Sequence, residues 1–144
     1  MTKYQFSVEV EPQYLPEQSQ PAQERYGFAY TITIANVGDV AAQLIARHWI
    51  IRDARGHREE VRGLGVVGQQ PLLKPGEAFQ YSSGCRLRTP TGTMEGSFFC
   101  VAEDGERFDA PVAPFVLDAG DETPPAHGSA GSGGGKTGSA RVLH

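Results

Sequence analysis

Strict alternation of apolar and polar residues over two long stretches is the feature that most constrains this chain. Tyr4, Phe6, Val8 and Val10 alternate with polar residues, and the same period of two continues through residues 26–35. Because successive side chains of an extended strand point to opposite faces, this period is typical of strands with one buried face. No long stretch has a helical period, so the sequence predicts an all-β protein.

Five further strands are predicted between turn signals in the rest of the chain. They are residues 43–52, 57–62, 77–83, 93–103 and 106–117. Segment 43–52 is apolar on both faces, as in a central strand, whereas 57–62 is charged, as in an edge strand. Residues 63–76 and 84–92 are expected to be loops. Seven antiparallel strands at this spacing favour a β-sandwich of immunoglobulin or fibronectin type III type with two packed sheets, and a closed barrel is the alternative.

The sequence predicts one domain, residues 1–117, followed by a disordered C-terminal tail, residues 118–144. The tail is rich in Gly, Ser and Pro, and it holds too little apolar surface to offset the entropy of ordering. The segment from Ala130 to Thr137 is close to the P-loop motif, but the strand and helix that a P-loop requires are not predicted there. We interpret that match as chance.

The charge balance excludes some classes of partner. The net charge is −4, with both signs mixed along the chain, which is not the basic footprint that nucleic-acid binding needs. The chain shows no apolar run of membrane-spanning length and no apolar N-terminal signal segment. We expect a cytoplasmic monomer that binds neither nucleic acid nor membrane.

Gly63 to Gly68 read GxGxxG, the spacing that binds a dinucleotide pyrophosphate in some folds. That use requires a strand before the run and a helix N-terminus after it. Here the run leads into Pro71, Pro75 and Gly76, which do not open a helix of useful length. We therefore predict a shaped loop, with nucleotide or pyrophosphate binding through Gly63 to Gly68 as the alternative.

Segment 43–52 carries the densest group of candidate binding residues. If the sole tryptophan, Trp49, is buried between the sheets, His48 points outward beside Leu44 and Ile50. An exposed apolar face of this kind is typical of a partner surface, and the other possibility is that His48 points inward and hydrogen-bonds in the core. The predicted partner-binding residues are Leu44, His48, Ile50, Gly63, Gly65 and Gly68.

Metal binding and thiol chemistry are the remaining possibilities. His48, His57 and nearby carboxylates make divalent-metal binding a second alternative, although no pair has a recognised ligand spacing. Cys100 is predicted to be a small core residue, and Cys85 a loop thiol that no base activates. The sequence therefore predicts no catalytic residue, no metal site and no cofactor.

Several motifs in a fixed order resemble the ApaG family, also called DUF525, over residues 3–117. They include Tyr14 to Ser19, Arg25 to Ile34, Arg47 to Ile51, Glu59 to Gly63, Gly65 to Pro71, Ser83 to Cys85 and Gly92 to Ser97. The resemblance implies a fibronectin type III-like sandwich. Related domains in eukaryotic F-box proteins and in a polymerase-delta-interacting protein look like interaction modules, and bacterial members carry a label of cobalt resistance and magnesium efflux. The resemblance thus implies a non-enzymatic protein-interaction module with an unknown protein partner.

Overall fold

A computed structural model of the chain describes residues 2–120. In this part the chain forms eight strands: β1 (Phe6–Tyr14), β2 (Tyr26–Asn36), β3 (Ala42–Asp53), β4 (Arg58–Leu64), β5 (Leu72–Leu73), β6 (Ala78–Leu87), β7 (Thr91–Ala102) and β8 (Arg107–Asp118). Two short 3-10 helices, Pro16–Gln18 and Pro21–Gln23, connect β1 to β2. No helix within residues 2–120 has the length and apolar character needed to cross a bilayer.

The strands form two antiparallel sheets that pack face to face. The smaller sheet has the order β1-β2-β6, and the larger has the order β4-β3-β7-β8 with β5 paired to β3. This arrangement confirms the all-β sandwich with two packed sheets. The number of strands is eight instead of seven, because the two-residue strand β5 forms inside the segment 63–76 that was expected to be a loop.

Aromatic side chains fill the space between the sheets. Trp49 is buried, and its ring centroid lies 5.9 Å from that of Tyr30, 5.7 Å from Phe98 and 6.4 Å from Phe115. These rings come from β2, β3, β7 and β8, so the tryptophan joins both sheets. The prediction that Trp49 is a core residue is confirmed.

β6 extends further than the sequence predicts. It reaches Leu87 instead of ending at Ser83, and Cys85 pairs with Phe28 of β2. Gly84, which was interpreted as the start of a loop, lies within the pairing of β6 with β2. A Cβ at this position would come 2.8 Å from the Phe28 carbonyl oxygen. The glycine therefore permits close strand packing and does not mark a turn.

The sandwich is closed on one side and open on the other. β1 packs directly against β8, where the rings of Phe6 and Phe108 lie 5.5 Å apart in an edge-to-face arrangement. On the other side β4 and β6 are both edge strands, since β4 pairs only with β3 and β6 only with β2. The predicted edge position of the charged strand is confirmed. The tail predicted after residue 117 lies, from residue 121 onward, outside the described residues.

Candidate functional site

A β-bulge in β3 decides which side chains reach the surface. Leu44 pairs with Cys100 of β7 and Ala46 pairs with Phe99, so Ile45 is an extra residue with no partner opposite it. The bulge shifts the alternation by one position and places Leu44 on the inner face, where it is 0% exposed. The prediction that Leu44 shares the outer face with His48 is therefore wrong, because it assumed an unbroken period of two.

Beyond the bulge, His48 and Ile50 lie on the outer face of the larger sheet, as predicted. The His48 Nε2 atom is 2.5 Å from Glu60 Oε2 on β4, and the histidine side chain is 28% exposed. Arg62 Nη2 donates to the same carboxylate oxygen at 2.9 Å. The His48 hydrogen bond, followed by the charge of Arg62, lowers the pKa of Glu60. His48 is thus part of a polar surface network and is not a core hydrogen-bonding residue.

The glycine run forms a tight turn at the end of β4. Val66 and Gln69 close the turn with backbone hydrogen bonds of 2.8 and 2.9 Å, and the central residues Val67 and Gly68 have φ angles of 42° and 80°. Two consecutive positive φ angles are those of a type I′ turn. Gly65 precedes the turn with φ of 64°, and a Cβ there would lie 2.4 Å from the Gln69 carbonyl oxygen. The glycines therefore serve the shape of the loop.

Two backbone amides of the run, those of Gly65 and Val66, donate to backbone carbonyls of the protein. Gly65 N donates to Ile45 O at 2.7 Å, Val66 N donates to Gln69 O, and Gln69 N donates to Val66 O. A phosphate cradle needs such amides to point at the ligand from a helix N-terminus, and within residues 2–120 the only helices are the two 3-10 turns before β2. This geometry does not favour the nucleotide alternative.

Gly63 lies on the inner face, apart from the rest of the run. It pairs with Arg47, and a Cβ at Gly63 would come 2.8 Å from the Arg47 guanidinium carbon. Arg47 Nη1 donates to the carbonyl oxygens of Leu64 and Gly65 at 2.9 and 3.0 Å. Gly63 thus accommodates a half-buried, inward-facing arginine that supports the loop, and it does not belong to the outer face with His48 and Ile50.

Four large apolar side chains are exposed around the end of the larger sheet that carries the turn. Leu64 is 74% exposed, Leu72 57%, Val67 40% and Phe99 36%. Leu64 and Phe99 flank Ala46 in one outward-facing row, and Leu72 flanks Gln43 in the next. We call Leu64, Val67, Leu72 and Phe99 the loop-end patch.

The sequence analysis named none of the four loop-end patch residues as partner-binding, although signals were present. Phe98 and Phe99 are adjacent in a strand, so one of the two rings must face outward. Leu64 ends β4 at an outward position. Its exposure depends on β4 being an edge strand, and that edge position was predicted. Leu72 was assigned to a loop, and its place beside Gln43 follows only from the unpredicted pairing of β5.

Metal and thiol chemistry receive no support from the geometry of residues 2–120. Within that range no three or more His, Cys, Asp and Glu side chains are grouped as metal ligands. Cys85 and Cys100 are buried, and burial raises the pKa of each thiol to about 12. Cys85 lies in β6, so the prediction that it lies in a loop is wrong.

Together, these features define a rigid immunoglobulin-like or fibronectin type III-like sandwich with a shaped glycine turn at one end. Comparison with known proteins identifies the family. A family model described as DUF525, ApaG domain, matches residues 16–102. The chain belongs to the ApaG family.

Relatives and solved structures agree with this assignment. Protein ApaG of Acidovorax sp. (strain JS42) is 64% identical over 146 residues, covering 100% of each chain. Protein ApaG of Ralstonia nicotianae is 59% identical over 117 residues, covering 81% of this chain and 94% of the relative. The crystal structure of the putative ApaA protein from Bordetella pertussis superposes with a TM-score of 0.82 at 55% identity, covering 84% of this chain and 98% of that one. These names state no reaction, ligand or partner.

Proposed function

We propose that this chain is a non-enzymatic protein-interaction module that binds its partner through the loop-end patch together with His48 and Ile50. The observation that carries the proposal is the clustering of four exposed apolar side chains at one end of a sheet. Isolated exposed apolar residues are normal on protein surfaces, but a contiguous group with a polar rim is typical of an interface.

The register of the sheet supports a continuous surface. Leu64, Ala46 and Phe99 stand side by side on three neighbouring strands, and His48 lies in the next row along β3. Neighbouring strands are about 4.8 Å apart, so this row spans about 10 Å. The ion pair of Glu60 with Arg62, together with the hydrogen bond from Glu60 to His48, borders the row with polar groups. The surface therefore combines an apolar centre with a charged edge.

The backbone at Val67 also supports a binding role for the turn. Val67 is β-branched, has a φ of 42°, and is 40% exposed. A non-glycine residue at positive φ costs free energy, and such costs concentrate at functional sites. An exposed apolar residue at this position gains nothing from burial in the free chain, so partner contact gives a reason for its presence.

Neither alternative has a comparable observation in its favour. Nucleotide binding would use the amides of Gly65 and Val66, which donate to backbone carbonyls within the protein. Metal binding would use His48 and Glu60, which are hydrogen-bonded to each other. The cobalt and magnesium phenotype associated with bacterial members fits an interaction module whose partner acts on ion transport, and it does not require a metal site in this chain.

Leu64→Asp tests the proposal, and Val116→Asp is its matched control. Val116 is 59% exposed on the same larger sheet, but it pairs with Thr93 at the opposite end of β7. Tagged wild-type chain and both variants are used to capture proteins from bacterial lysate, and the captured proteins are quantified by mass spectrometry. We expect a partner that wild type and Val116→Asp retain equally and that Leu64→Asp loses by about tenfold or more.

Thermal melting of the three proteins checks that each is folded, since both substitutions are at exposed positions and should change stability by less than about 0.5 kcal/mol. Binding of the identified partner is then measured directly with purified proteins. Equal capture by Leu64→Asp and wild type would contradict the assigned surface. The absence of any protein enriched above a tag-only control would contradict the interaction module itself.

A further inference from the structure

The two sheets differ in width, and the difference leaves one strand uncovered. β1 packs against β8, and Tyr30 of β2 contacts both Trp49 of β3 and Phe115 of β8, so β2 lies over the middle of the larger sheet. The next strand, β6, therefore lies over β3. The smaller sheet has no fourth strand to cover β4.

The exposure of β4 agrees with the absence of a covering strand in the smaller sheet. None of the residues Arg58–Leu64 is buried, whichever sheet face its side chain takes. Val61 lies on the inner face opposite Trp49 and is only partly covered, whereas Trp49 itself is buried. A gap one strand wide thus lies beside β6 and above the inner face of β4. We call this gap the β4–β6 slot.

β6 is the least protected edge within residues 2–120. β1 contains Pro12, β8 contains Pro111 and Pro114, and β4 carries four charged residues in seven. β6 is ten residues long, has no proline, and has Arg86 as its single charged residue. Natural sheets usually block such an edge with charge, proline or a bulge, because it can pair with another strand.

The slot contains polar groups with a defined charge. The Arg47 guanidinium lies against Gly63 of β4, where a Cβ would meet it, and its charge acts on the neighbouring phenol of Tyr81 on β6. Tyr81 Oη is buried and makes no hydrogen bond to any of residues 2–120. Glu59 marks the other end of the inner row of β4, beyond Val61. Along this row, a positive guanidinium, an apolar side chain and a negative carboxylate therefore occupy alternate positions.

We propose that the β4–β6 slot binds an extended peptide segment of a partner protein, which adds a strand to β6 and directs an acidic side chain to Arg47 and Tyr81. The carboxylate gives the Tyr81 hydroxyl an acceptor and complements the arginine. Two residues further along, an apolar side chain covers Val61, and after two more a basic side chain faces Glu59. Backbone pairing supplies affinity and the alternating pockets supply specificity, as in other strand-addition complexes.

The occupant is a single strand and not a second copy of this chain. In each copy, β4 extends one strand beyond β6. If the β6 strands of two copies paired, their two β4 strands would therefore compete for the same space beneath the continuous sheet. A lone peptide strand needs only the width of one strand, about 4.8 Å. The slot lies on the inner face of β4 and Leu64 of the loop-end patch lies on the outer face, so Ser83→Lys and Leu64→Asp test different surfaces.

The probe is the capped heptapeptide TDTVTKT, titrated into the full-length chain to about 5 mM, a range suited to millimolar affinity. Amide shifts are followed by nuclear magnetic resonance. We expect saturable shifts along Ala78–Leu87 and slower hydrogen exchange at alternate amides of that strand. The peptide TKTVTKT, which places a lysine at Arg47, should bind about tenfold more weakly or worse. No saturable shift in β6, or equal binding of the two peptides, would overturn the proposal.

Backbone methylation distinguishes strand addition from side-chain binding. One peptide is N-methylated at its Thr residues and another at the residues between them, because alternate amides of a strand point the same way. Only one of the two should lose binding, and loss by both or by neither contradicts strand pairing.

On the protein side, Ser83→Lys places an inward charge in the slot, and Ser7→Lys places the same charge on the outer face of the opposite edge strand. Ser83→Lys should abolish binding and Ser7→Lys should leave it unchanged. The methylated peptides decide the question if Ser83→Lys does not fold.

Discussion

At the scale of single residues, Val67 shows a conflict between local structure and sequence. Its φ of 42° belongs to the left-handed region, which costs an ordinary L-residue about 1–2 kcal/mol and is least suited to a β-branched side chain. It is followed by Gly68 at φ of 80°, in a two-residue turn for which Asn-Gly is a preferred sequence. The turn thus retains a residue that its own geometry disfavours.

Val67→Asn should therefore stabilise the domain. Asparagine adopts positive φ more readily, so we expect the free energy of unfolding to rise by about 1 kcal/mol. The same change removes an exposed apolar group from the loop-end patch, so partner capture should fall while stability rises. Urea denaturation measures the first effect and partner binding the second. A less stable variant would contradict the account of strain, and unchanged capture would exclude Val67 from the interface.

At the scale of elements, the bulge in β3 connects the sheet to the glycine turn. Ile45 has no partner on β7, and its carbonyl oxygen bonds to the loop that follows β4. It accepts a hydrogen bond from Gly65 N at 2.7 Å and another from the Gln70 side-chain amide at 2.9 Å. The irregularity that moves Leu44 inward is therefore also the point at which the turn is held.

Deletion of Ile45 tests this connection. The residues on either side, Leu44 and Ala46, would keep their inner and outer faces, because the deletion restores a regular alternation. The loop would lose two hydrogen bonds, at a cost of roughly 2 kcal/mol. We expect the Gly65 amide to exchange hydrogen about tenfold faster or more, measured in folded protein.

Gln70→Ala is the matched control for this deletion. It removes only the side-chain hydrogen bond and should leave the Gly65 amide protected. Unchanged exchange at Gly65 in the deletion variant would show that the bulge does not hold the turn.

The bulge also shows what could be predicted from the sequence of this element. The period of two placed Trp49 inward and His48 outward, and both positions are confirmed. Leu44 was placed on the wrong face because a bulge leaves no compositional mark when the extra residue is itself apolar, as Ile45 is. The same alternation places Arg47 on the inner face with Trp49, but it does not show that Gly63 of the neighbouring strand leaves room for the guanidinium.

At the scale of the whole molecule, fold and site differ in how far sequence predicts them. Alternation and turn signals are local, and they were sufficient for the sandwich of two sheets. The loop-end patch and the β4–β6 slot arise from which strands neighbour each other and which sheet is wider. Those relations are non-local, so the place of Leu72 and the open edge of β6 could not be assigned before the strand order was known.

The sandwich interior holds two thiols and two phenols in their neutral forms, and this predicts a loss of stability at alkaline pH. Burial raises the pKa of Cys85 and of Cys100 from 9.0 to about 12, and it also raises the pKa of Tyr30 and Tyr81. A group whose folded-state pKa is raised contributes fully below its unfolded pKa and loses that contribution as pH rises toward the folded value. The thiols should therefore destabilise the fold progressively from about pH 9 to about pH 12, with the phenols adding to the loss above about pH 10.

Urea denaturation at about pH 8 and at about pH 10 measures this effect. We expect the free energy of unfolding to fall by roughly 1 kcal/mol for each thiol over that interval, because the unfolded chain releases protons that the folded chain retains. The double variant Cys85→Ala/Cys100→Ala should be less stable at about pH 8, since it removes buried sulfur atoms, but its stability should change much less with pH. The folded wild type should also react slowly with thiol reagents at about pH 8, because both thiols are buried and protonated. Parallel pH profiles for the wild type and the double variant would show that the thiols do not control the alkaline limit of the fold.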